Sequence, residues 1–295
     1  MTTTSAPSVR ERTRAKSRVL LEALPYIREH AGKAVVVKLG GAAMDDPSLA
    51  GSFAEDIGLL RLVGIRPVVL HGGGPQVSEL SERLGLTTEF RGGLRVTNAD
   101  TLRVAKMVLV GDVNKQIVSA MNRAGTAAVG LCGDDGDLLL AAKHAPYGDD
   151  LGFVGEITGV NRPLLDHLLE VAVPVIASIA TDGAGQSYNV NADPAAAAVA
   201  VALGAAKLVM LTDVAGVMVD GEQIAELTAS EADELVANGT AGGGMGPKLQ
   251  AAADAVRGGV SRAHIIDGRI EHSLVLELFT PEGIGTMVCP DGEAA

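Results

Sequence analysis

Short runs of β-branched and other apolar residues alternate with longer helical patterns along most of this chain, and this alternation strongly constrains its fold. The runs do not alternate apolar with polar residues, as strands exposed on one face would. Buried strands separated by helices are typical of a mostly parallel sheet covered on both faces. The runs are AVVVKL (34–39), PVVL (67–70), AAVGL (127–131), VPVIAS (173–178), KLVMLT (207–212) and AHIID (263–267).

The segments between these runs have the periodicity of helices, and we expect helices over 48–62, 75–84, 99–121 and 245–258. The segment GFVGEITGVN (152–161) alternates more and is predicted to form part of a β-hairpin. The predicted fold class is α/β, a three-layer αβα sandwich with a mostly parallel central sheet. Ligands of such sheets bind at the carboxyl ends of the strands.

The composition constrains the core and disfavours some classes of binding partner. Hydrophobic residues make up 47% of the 295 residues and aromatic residues only 2%, so the core must consist of Ala, Val, Leu and Ile. A formal net charge of −12 disfavours nucleic acid or an anionic membrane as the main partner. Charge-free runs such as 194–206 are too short to cross a bilayer.

The chain has two cysteines, Cys132 and Cys289, which form neither a disulfide framework nor a metal-binding set. Cys132 is predicted to be a small core residue. Such thiols are typical of a reducing compartment, so we expect a cytoplasmic protein. The six histidines show no metal-ligand spacing, and no protein-bound metal is predicted.

Three consecutive glycines lie between a strand and a helix in VVLHGGGPQVSEL (68–80). Glycine weakens regular structure by roughly 0.5–1 kcal/mol, so this run needs an explanation. It could form a loose turn, or it could expose backbone N–H groups to an anion at a helix N-terminus.

The common phosphate-binding patterns are absent from this sequence. No GxGxxG follows a strand, and GGGMGPKL (242–249) departs from a Walker motif because Pro247 stands between glycine and Lys248. These absences disfavour a dehydrogenase or a P-loop nucleotidase.

Several other glycine-containing loops follow strands and include a charged or polar residue. In order, and together with HGGGPQ, the motifs KLGG, GLRVT, NVNAD, LTDV and GGMGPK resemble the amino-acid kinase family over about 23–288. Within that family, HGGGPQ with GLRVT indicates acetylglutamate as phosphoryl acceptor, rather than carbamate, aspartate or UMP. Another amino-acid kinase, such as a carbamate or glutamate kinase, and a non-catalytic arginine or nucleotide sensor are the alternatives.

The resemblance implies transfer of the γ-phosphoryl group of ATP to the side-chain carboxylate of N-acetyl-L-glutamate, a step of arginine biosynthesis. No general base is needed, because that carboxylate is ionised near neutral pH. The protein must instead supply fixed positive charge and N–H donors to the transferring group. Mg²⁺ is expected as the counter-ion of ATP, held chiefly by phosphates and water.

By resemblance, Lys38 and Lys248 reach the transferring phosphoryl group and Asp193 orients both ammonium groups. The residues alone leave other possibilities open. Lys38 could be a solvated lysine at a strand end, and Lys248 a lysine on a helix surface. Asp193, which precedes Pro194, is also a good helix N-cap and could combine the two roles.

The resemblance also assigns the acceptor site. The N–H groups of Gly73 and Gly74 would face the acceptor carboxylate or the phosphoryl group, and a Cβ there would push the substrate away. Arg95 would bind the α-carboxylate through two parallel hydrogen bonds. Asn189 would hold the same end or the acetamido group, unless it is a turn asparagine. His71 is expected to be a packed residue at the strand end.

The nucleotide site is expected in the later part of the chain, with two glycines from the first loop. We expect a lobe over 31–200 for acetylglutamate and dimer contacts, and a lobe over 201–295 for ATP, with one sheet shared between them. The assigned nucleotide-binding residues are Gly40, Gly41, Thr212, Asp213 and Gly216, with 240–242 nearby.

Residues 1–30 are expected to form an extension with an amphipathic helix, because Leu20, Ala23, Leu24 and Ile27 follow helical spacing. A bend is expected near Pro25. This extension resembles that of the arginine-inhibited branch of the family, in which a kinked helix interlaces dimers into a ring-shaped hexamer.

By the same resemblance, arginine binds between this helix and the segment 262–286. Glu277 would pair with the guanidinium group, although the residue alone could equally be an exposed helix residue. The remaining residues of the expected arginine site are Tyr26, Lys207, His264 and Gly283.

Overall fold

The computed structural model of the protein describes residues 21–40, 46–146, 148, 150–281 and 283–293. The predicted strands are all present, each with ends within one residue of expectation, a difference within the ordinary uncertainty of element boundaries. The strands are β1 Ala34–Leu39, β2 Arg66–His71, β3 Phe90–Arg91, β4 Leu94–Arg95, β5 Ala128–Cys132, β6 Leu139–Lys143, β7 Val154–Val160, β8 Val173–Ala177, β9 Ile179–Thr181, β10 Ser187–Val190, β11 Lys207–Thr212, β12 Met218–Val219, β13 Glu222–Gln223, β14 Glu226–Thr228, β15 Arg262–Asp267 and β16 Thr286–Cys289.

The predicted helices are present, with one difference. The stretch expected as a single helix over 99–121 contains a π-helical segment, Met107–Val113, between two α-helices. Among the helices in the described ranges, none combines the length and apolar character needed to cross a bilayer. The α-helices are α1 Leu24–His30, α2 Pro47–Leu62, α3 Gly74–Arg83, α4 Ala99–Lys106, α5 Asn114–Arg123, α6 Arg162–Val171, α7 Ala192–Leu203, α8 Ala229–Ala237, α9 Met245–Arg257 and α10 Ser273–Phe279.

The central sheet has eight strands in the order β14-β16-β15-β11-β1-β2-β8-β5. Strand β1 pairs in parallel with both β11 and β2, and β8 pairs in parallel with both β2 and β5. Among the described residues, only the β15–β16 pairing in this sheet is antiparallel. The prediction of a mostly parallel sheet is confirmed.

Both faces of this sheet are buried. Val36 of β1 packs into one apolar cluster, whereas its neighbours Val35 and Val37 pack into another on the opposite face. All three are fully buried, as successive strand residues must be when helices cover both faces. The first cluster includes residues of α7 and α9, and the second includes residues of α2 and α5.

Four further strands, β6, β7, β9 and β10, close into a small barrel. Strands β6 and β7 pair antiparallel, which confirms the hairpin expected around 152–161. Strand β10 ends at Val190, and α7 begins two residues later. Asn189, in β10, and Asp193, in the first turn of α7, are thereby held on either side of one short connection.

The helix is interrupted by a turn at Ala23, and α1 then begins with Pro25 in its first turn, at the place where a bend is expected. Ala23, Tyr26 and Ile27 pack against the chain's own second apolar cluster, so part of the stripe serves this subunit. Leu24 remains 38% exposed. Leu20 and the rest of residues 1–20 lie outside the described residues.

Candidate active site

Two lysines share one buried carboxylate at the carboxyl end of β1. The Nζ atom of Lys38 lies 2.7 Å from Oδ1 of Asp193, and Nζ of Lys248 lies 3.3 Å from Oδ2. The three side chains are 9%, 6% and 19% exposed for Lys38, Asp193 and Lys248 respectively. A solvated lysine at position 38 was therefore the wrong alternative, because β1 is an interior strand of the sheet.

Asp193 is not the N-cap of α7. That position belongs to Asn191, whose side-chain oxygen accepts a hydrogen bond of 3.0 Å from the backbone N–H of Asp193. The capping expectation for Asp193 was wrong because the helix begins at Ala192, two residues before Pro194. Its carboxylate is thus available to the two lysines.

The charge of Asp193 is stabilised by its neighbours. Burial alone would raise the pKa of this carboxyl group, but the positive charges of Lys38 and Lys248 outweigh burial and hold the pKa below its ordinary value. Two ammonium groups around one carboxylate leave an excess of positive charge in a poorly solvated place. Such a place favours a bound anion.

A cavity of about 350 Å³ opens beside this charged cluster. It combines the predicted catalytic residues with the predicted acceptor-site residues, which are distant in the sequence. Its lining includes Lys38, Gly40, Gly73, Gly74, Arg95, Asn189, Asp193 and Lys248.

The glycine turn after β2 forms one wall of this cavity. A Cβ atom on Gly73 would lie 2.7 Å from Cδ2 of Leu109 in the π-helical segment, so a larger residue there would displace that side chain. A Cβ at this position would thus also meet the protein itself, besides any effect on the substrate. Gly74 has no atom within 4 Å of such a Cβ and begins α3, whose N-terminus has no side-chain cap. The free backbone N–H groups at the N-terminus of α3 can therefore donate hydrogen bonds to an anion.

His71 is fully buried at the end of β2 and supports that turn. Its Nδ1 donates a 2.8 Å hydrogen bond to the Gly72 carbonyl, and Asn114 Nδ2 lies 3.1 Å from its Nε2 as donor. This pattern requires a neutral ring, and burial lowers the pKa of His71 to about 4. The role of Asn114 was not predicted, because it lies in a helix without a motif.

Arg95, the last residue of β4, is fixed by contacts with α3. Its Nη2 donates to the Gly74 carbonyl at 2.8 Å and to Ser78 Oγ at 2.7 Å. The guanidinium carbon lies 4.8 Å from the centre of the Phe90 ring. Burial lowers the pKa of Arg95, but an arginine remains charged in proteins. The side chain is thus held rigidly at the cavity.

Asn189 lies within β10, so the alternative of a turn asparagine was wrong. Its Nδ2 donates to Thr97 Oγ1 at 3.3 Å, and the residue lines the same cavity as Arg95.

A second cavity, of about 440 Å³, adjoins the first. Lys248 and Gly244 line both cavities, so one ammonium group faces the junction between them. Gly40 lies in the first cavity, and Gly41 lies outside the described residues. The second cavity contains the remaining predicted nucleotide residues, with a lining that includes Thr212, Asp213, Gly216, Thr240, Ala241 and Gly242.

The residues expected to bind arginine form a separate buried network. Lys207 Nζ donates to His264 Nε2 at 3.1 Å, and His264 Nδ1 donates to Glu277 Oε1. Burial lowers the pKa of His264 and also that of Lys207. Tyr26 lies on α1, which packs against the helix that carries Glu277.

Glu277 is 8% exposed, so the alternative of an exposed helix residue was wrong. Its Oε2 accepts hydrogen bonds from the backbone N–H groups of Ile284 at 2.7 Å and Gly285 at 3.3 Å. Burial would raise the pKa of Glu277, but the bonds from His264 and these N–H groups hold it below its ordinary value. Gly283 has a φ of +62°, and a Cβ there would approach Oε2 to 3.1 Å.

The donor groups of the first cavity do not form a metal cage. Within the described ranges, no group of three or more His, Cys, Asp or Glu side chains is arranged to hold a metal ion. A divalent ion accompanying a nucleotide would depend on phosphate and water oxygens for its ligands.

Glycine turns and paired lysines at the carboxyl ends of parallel strands define an α/β protein that binds anionic small molecules. The chain belongs to the amino acid kinase family, whose sequence profile matches residues 33–267. Acetylglutamate kinase of Nostoc punctiforme is 48% identical over 293 residues, which cover 98% of each chain.

Solved structures of a second enzyme share this fold. N-acetylglutamate synthase from Neisseria gonorrhoeae, complexed with coenzyme A and N-acetyl-glutamate, superposes with a TM-score of 0.84 and 31% identity. The match covers 94% of this chain and 64% of the synthase chain, so the present chain spans less than two thirds of that protein. The synthase complexed with coenzyme A and L-arginine matches with a TM-score of 0.81 and 29% identity, over 93% of this chain and 65% of that one.

Proposed function

We propose that this chain transfers the γ-phosphoryl group of ATP to the side-chain carboxylate of N-acetyl-L-glutamate, giving N-acetyl-L-glutamyl 5-phosphate for arginine biosynthesis. The relative from Nostoc punctiforme, similar over nearly its full length, supports this reaction. The observation that carries the proposal is the pair of adjoining cavities that share Lys248. A donor in one cavity and an acceptor in the other would meet at that ammonium group.

In the proposed reaction, an oxygen of the acceptor carboxylate forms a bond to the γ-phosphorus. The bond from that phosphorus to the β–γ bridging oxygen breaks, and ADP leaves with the electron pair. Negative charge spreads over the transferring group in a loose transition state. Lys38 and Lys248 supply the positive charge that stabilises it, and Asp193 keeps both ammonium groups in place.

The acceptor occupies the cavity that Arg95 and Asn189 line. Arg95 binds the α-carboxylate, and Asn189 binds the same end or the acetamido group. The N–H groups at Gly73 and Gly74 face the carboxylate that receives the phosphoryl group.

The nucleotide occupies the second cavity, and Gly40 and Gly41 approach its phosphates. Mg²⁺ arrives with ATP and neutralises phosphate charge. We assign acceptor binding to a lobe over 31–200 and nucleotide binding to a lobe over 201–295. The linings support this division, since most residues of the first cavity precede position 200 and those of the second follow it.

An ADP-release assay tests this function. Release should depend on ATP, Mg²⁺ and acetylglutamate, and millimolar carbamate or glutamate should give far less ADP. Release with carbamate or glutamate in preference to acetylglutamate would assign the chain to a different kinase. No release with any acceptor would favour a non-catalytic sensor of arginine or nucleotide.

We further propose that arginine inhibits the enzyme by binding between α1 and α10. The Neisseria gonorrhoeae synthase, whose structure contains L-arginine, supports this assignment by its similarity over 93% of the chain. The guanidinium group pairs with Glu277, and Tyr26, His264 and the Gly283 turn surround it. Lys207 meets the carboxylate of arginine. The enzyme acts in the cytoplasm as a homo-oligomer, a dimer or a hexamer built from three dimers.

Replacement of Glu277 by Gln tests the arginine site. The variant should keep its rate without arginine, because Glu277 belongs to neither substrate cavity, and should lose most of its inhibition. Replacement of exposed Glu293 by Gln serves as the control. Unchanged inhibition in Glu277→Gln would place the arginine site elsewhere.

A further inference from the structure

Thr97 connects two residues of the acceptor cavity without lining it. The side chain is fully buried just after β4. Its Oγ1 donates a hydrogen bond of 2.7 Å to the Arg95 carbonyl and accepts one of 3.3 Å from Asn189 Nδ2. One hydroxyl group therefore joins the hairpin that carries Arg95 to the barrel strand that carries Asn189.

The backbone of Thr97 is held as firmly as its side chain. Its N–H donates to the Leu151 carbonyl at 2.9 Å, and its carbonyl accepts from Phe153 N–H at 2.7 Å. The carbonyl of Phe153 in turn accepts from Asn189 N–H at 2.9 Å. Three chain segments, distant in sequence, are thus tied together at Thr97.

Gly152 allows this close approach. It forms a β-bridge with Thr97 and has a φ of +73°. A Cβ at Gly152 would lie 2.2 Å from the Thr97 carbonyl oxygen, so no other residue fits without moving the backbone. This packing holds the Thr97 backbone in place, and the fully buried side chain has its hydroxyl between the Arg95 carbonyl and the Asn189 amide.

We propose that Thr97 is a positioning residue for acceptor recognition, whose hydroxyl sets the side-chain amide of Asn189 relative to Arg95. This inference rests on the proposed function, since it concerns how the same cavity recognises its acceptor. Loss of the hydroxyl would leave the Arg95 carbonyl and the half-buried Asn189 amide without this partner, which is costly. Asn189 would then move to satisfy its donors, and the acceptor would lose a correctly placed contact.

Two variants distinguish the effect of the Thr97 hydroxyl from the effect of the side-chain shape. Thr97→Val keeps the shape and removes the hydroxyl, whereas Thr97→Ser keeps the hydroxyl and removes the methyl group. The Val variant should raise the KM for acetylglutamate about tenfold, the size of effect expected for one hydrogen bond. The Ser variant should stay within about twofold of the unmodified enzyme, and the KM for ATP should hardly change in either.

Three outcomes would overturn the positioning role. These are an unchanged KM for acetylglutamate in Thr97→Val, an equal rise of both KM values, or a Ser variant that behaves like Val. Both variants could have a lower melting temperature. If the KM for acetylglutamate then changes only in Thr97→Val, the effect on acceptor recognition does not come from lost stability.

Crystal structures of the two variants without ligand test the role of Thr97 independently of any activity measurement. The Asn189 side chain should leave its position in Thr97→Val and keep it in Thr97→Ser. An Asn189 side chain that stays in place in the Val variant overturns the inference. An unmodified enzyme that releases no ADP with acetylglutamate overturns the proposed function instead, and these structures still decide the role of Thr97.

Discussion

The Nζ atom of Lys38 lies 2.7 Å from Oδ1 of Asp193, with both side chains more than nine-tenths buried. Burial of an ion pair contributes little to stability by itself, because desolvation opposes the attraction. The second cation, Lys248, leaves the cluster with excess positive charge beside two cavities. A cluster of this kind stabilises an anionic transition state better than it stabilises the fold.

Replacing either Lys38 or Lys248 by Ala should therefore reduce turnover on the order of 10²–10³-fold, the usual cost of losing one fixed electrostatic donor. We expect the fold to persist, because Asp193 keeps one cationic partner in each variant. Steady-state ADP release at saturating substrates measures the effect. The exposed Lys143, replaced by Ala, is the control. Near-normal turnover in either variant would remove that lysine from the proposed mechanism.

Replacing Arg95 by Lys should raise the KM for acetylglutamate far more than the KM for ATP. The charge remains, but the planar group that binds Gly74 and Ser78 and can also hold a carboxylate is lost. Arg91 of the same hairpin is exposed and paired with Glu89, so Arg91→Lys is the matched control. An equal rise of both KM values would indicate that Arg95 supports the nucleotide site or the lobe as a whole.

The sequence was informative where one local pattern determines the structure. The apolar run around Lys38 predicted a strand of a sheet covered on both faces, and the glycines after His71 predicted a turn leading into a helix. Both predictions rest on residues that are close in the chain.

The sequence was less informative where the outcome depends on contacts between distant segments. Leu109 lies close to the place of a Cβ at position 73, and no local pattern reveals that contact. The choice of Asn191 over Asp193 as the helix cap depends on where β10 ends. The role of Thr97 requires the barrel to bring Asn189 beside it. Such pairings become visible only in the folded chain.

The buried His71 should make stability depend on pH. Its pKa is about 4 in the folded protein against an ordinary value of 6.5, so the unfolded chain binds the proton more readily between these values. Stability is therefore fully present above pH 6.5 and falls as the pH is lowered towards 4, by about 3 kcal/mol from this residue.

Thermal unfolding of the unmodified chain and of His71→Gln, measured between pH 7.5 and 4, tests this dependence. The variant lacks the titrating ring, so its stability should fall less steeply with acid. The buried His30 and His264, whose pKa values burial also lowers, are present in both proteins and affect both curves. Parallel curves would show that His71 does not contribute to the acid sensitivity.

The extension before α1 should control both assembly and the response to arginine. Leu21 and Leu24 are 63% and 38% exposed, although Ala23 and Ile27 of the same region pack on this chain. We expect the exposed residues, with the preceding extension, to contact a neighbouring subunit and link dimers in a closed ring. Arginine can shift the enzyme only by binding one conformation better than another, and α1 joins the extension to the helix of Glu277.

Deletion of residues 1–20 leaves α1 in place and should turn a hexamer into a dimer, abolish arginine inhibition and keep most of the basal activity. Light scattering measures the assembly, and an inhibition curve measures the response to arginine. Leu24→Glu, which adds a charge to the exposed face of α1, should weaken the hexamer in the full-length chain. A truncated protein that remains hexameric, or that arginine inhibits as before, would show that the extension is not the regulatory element.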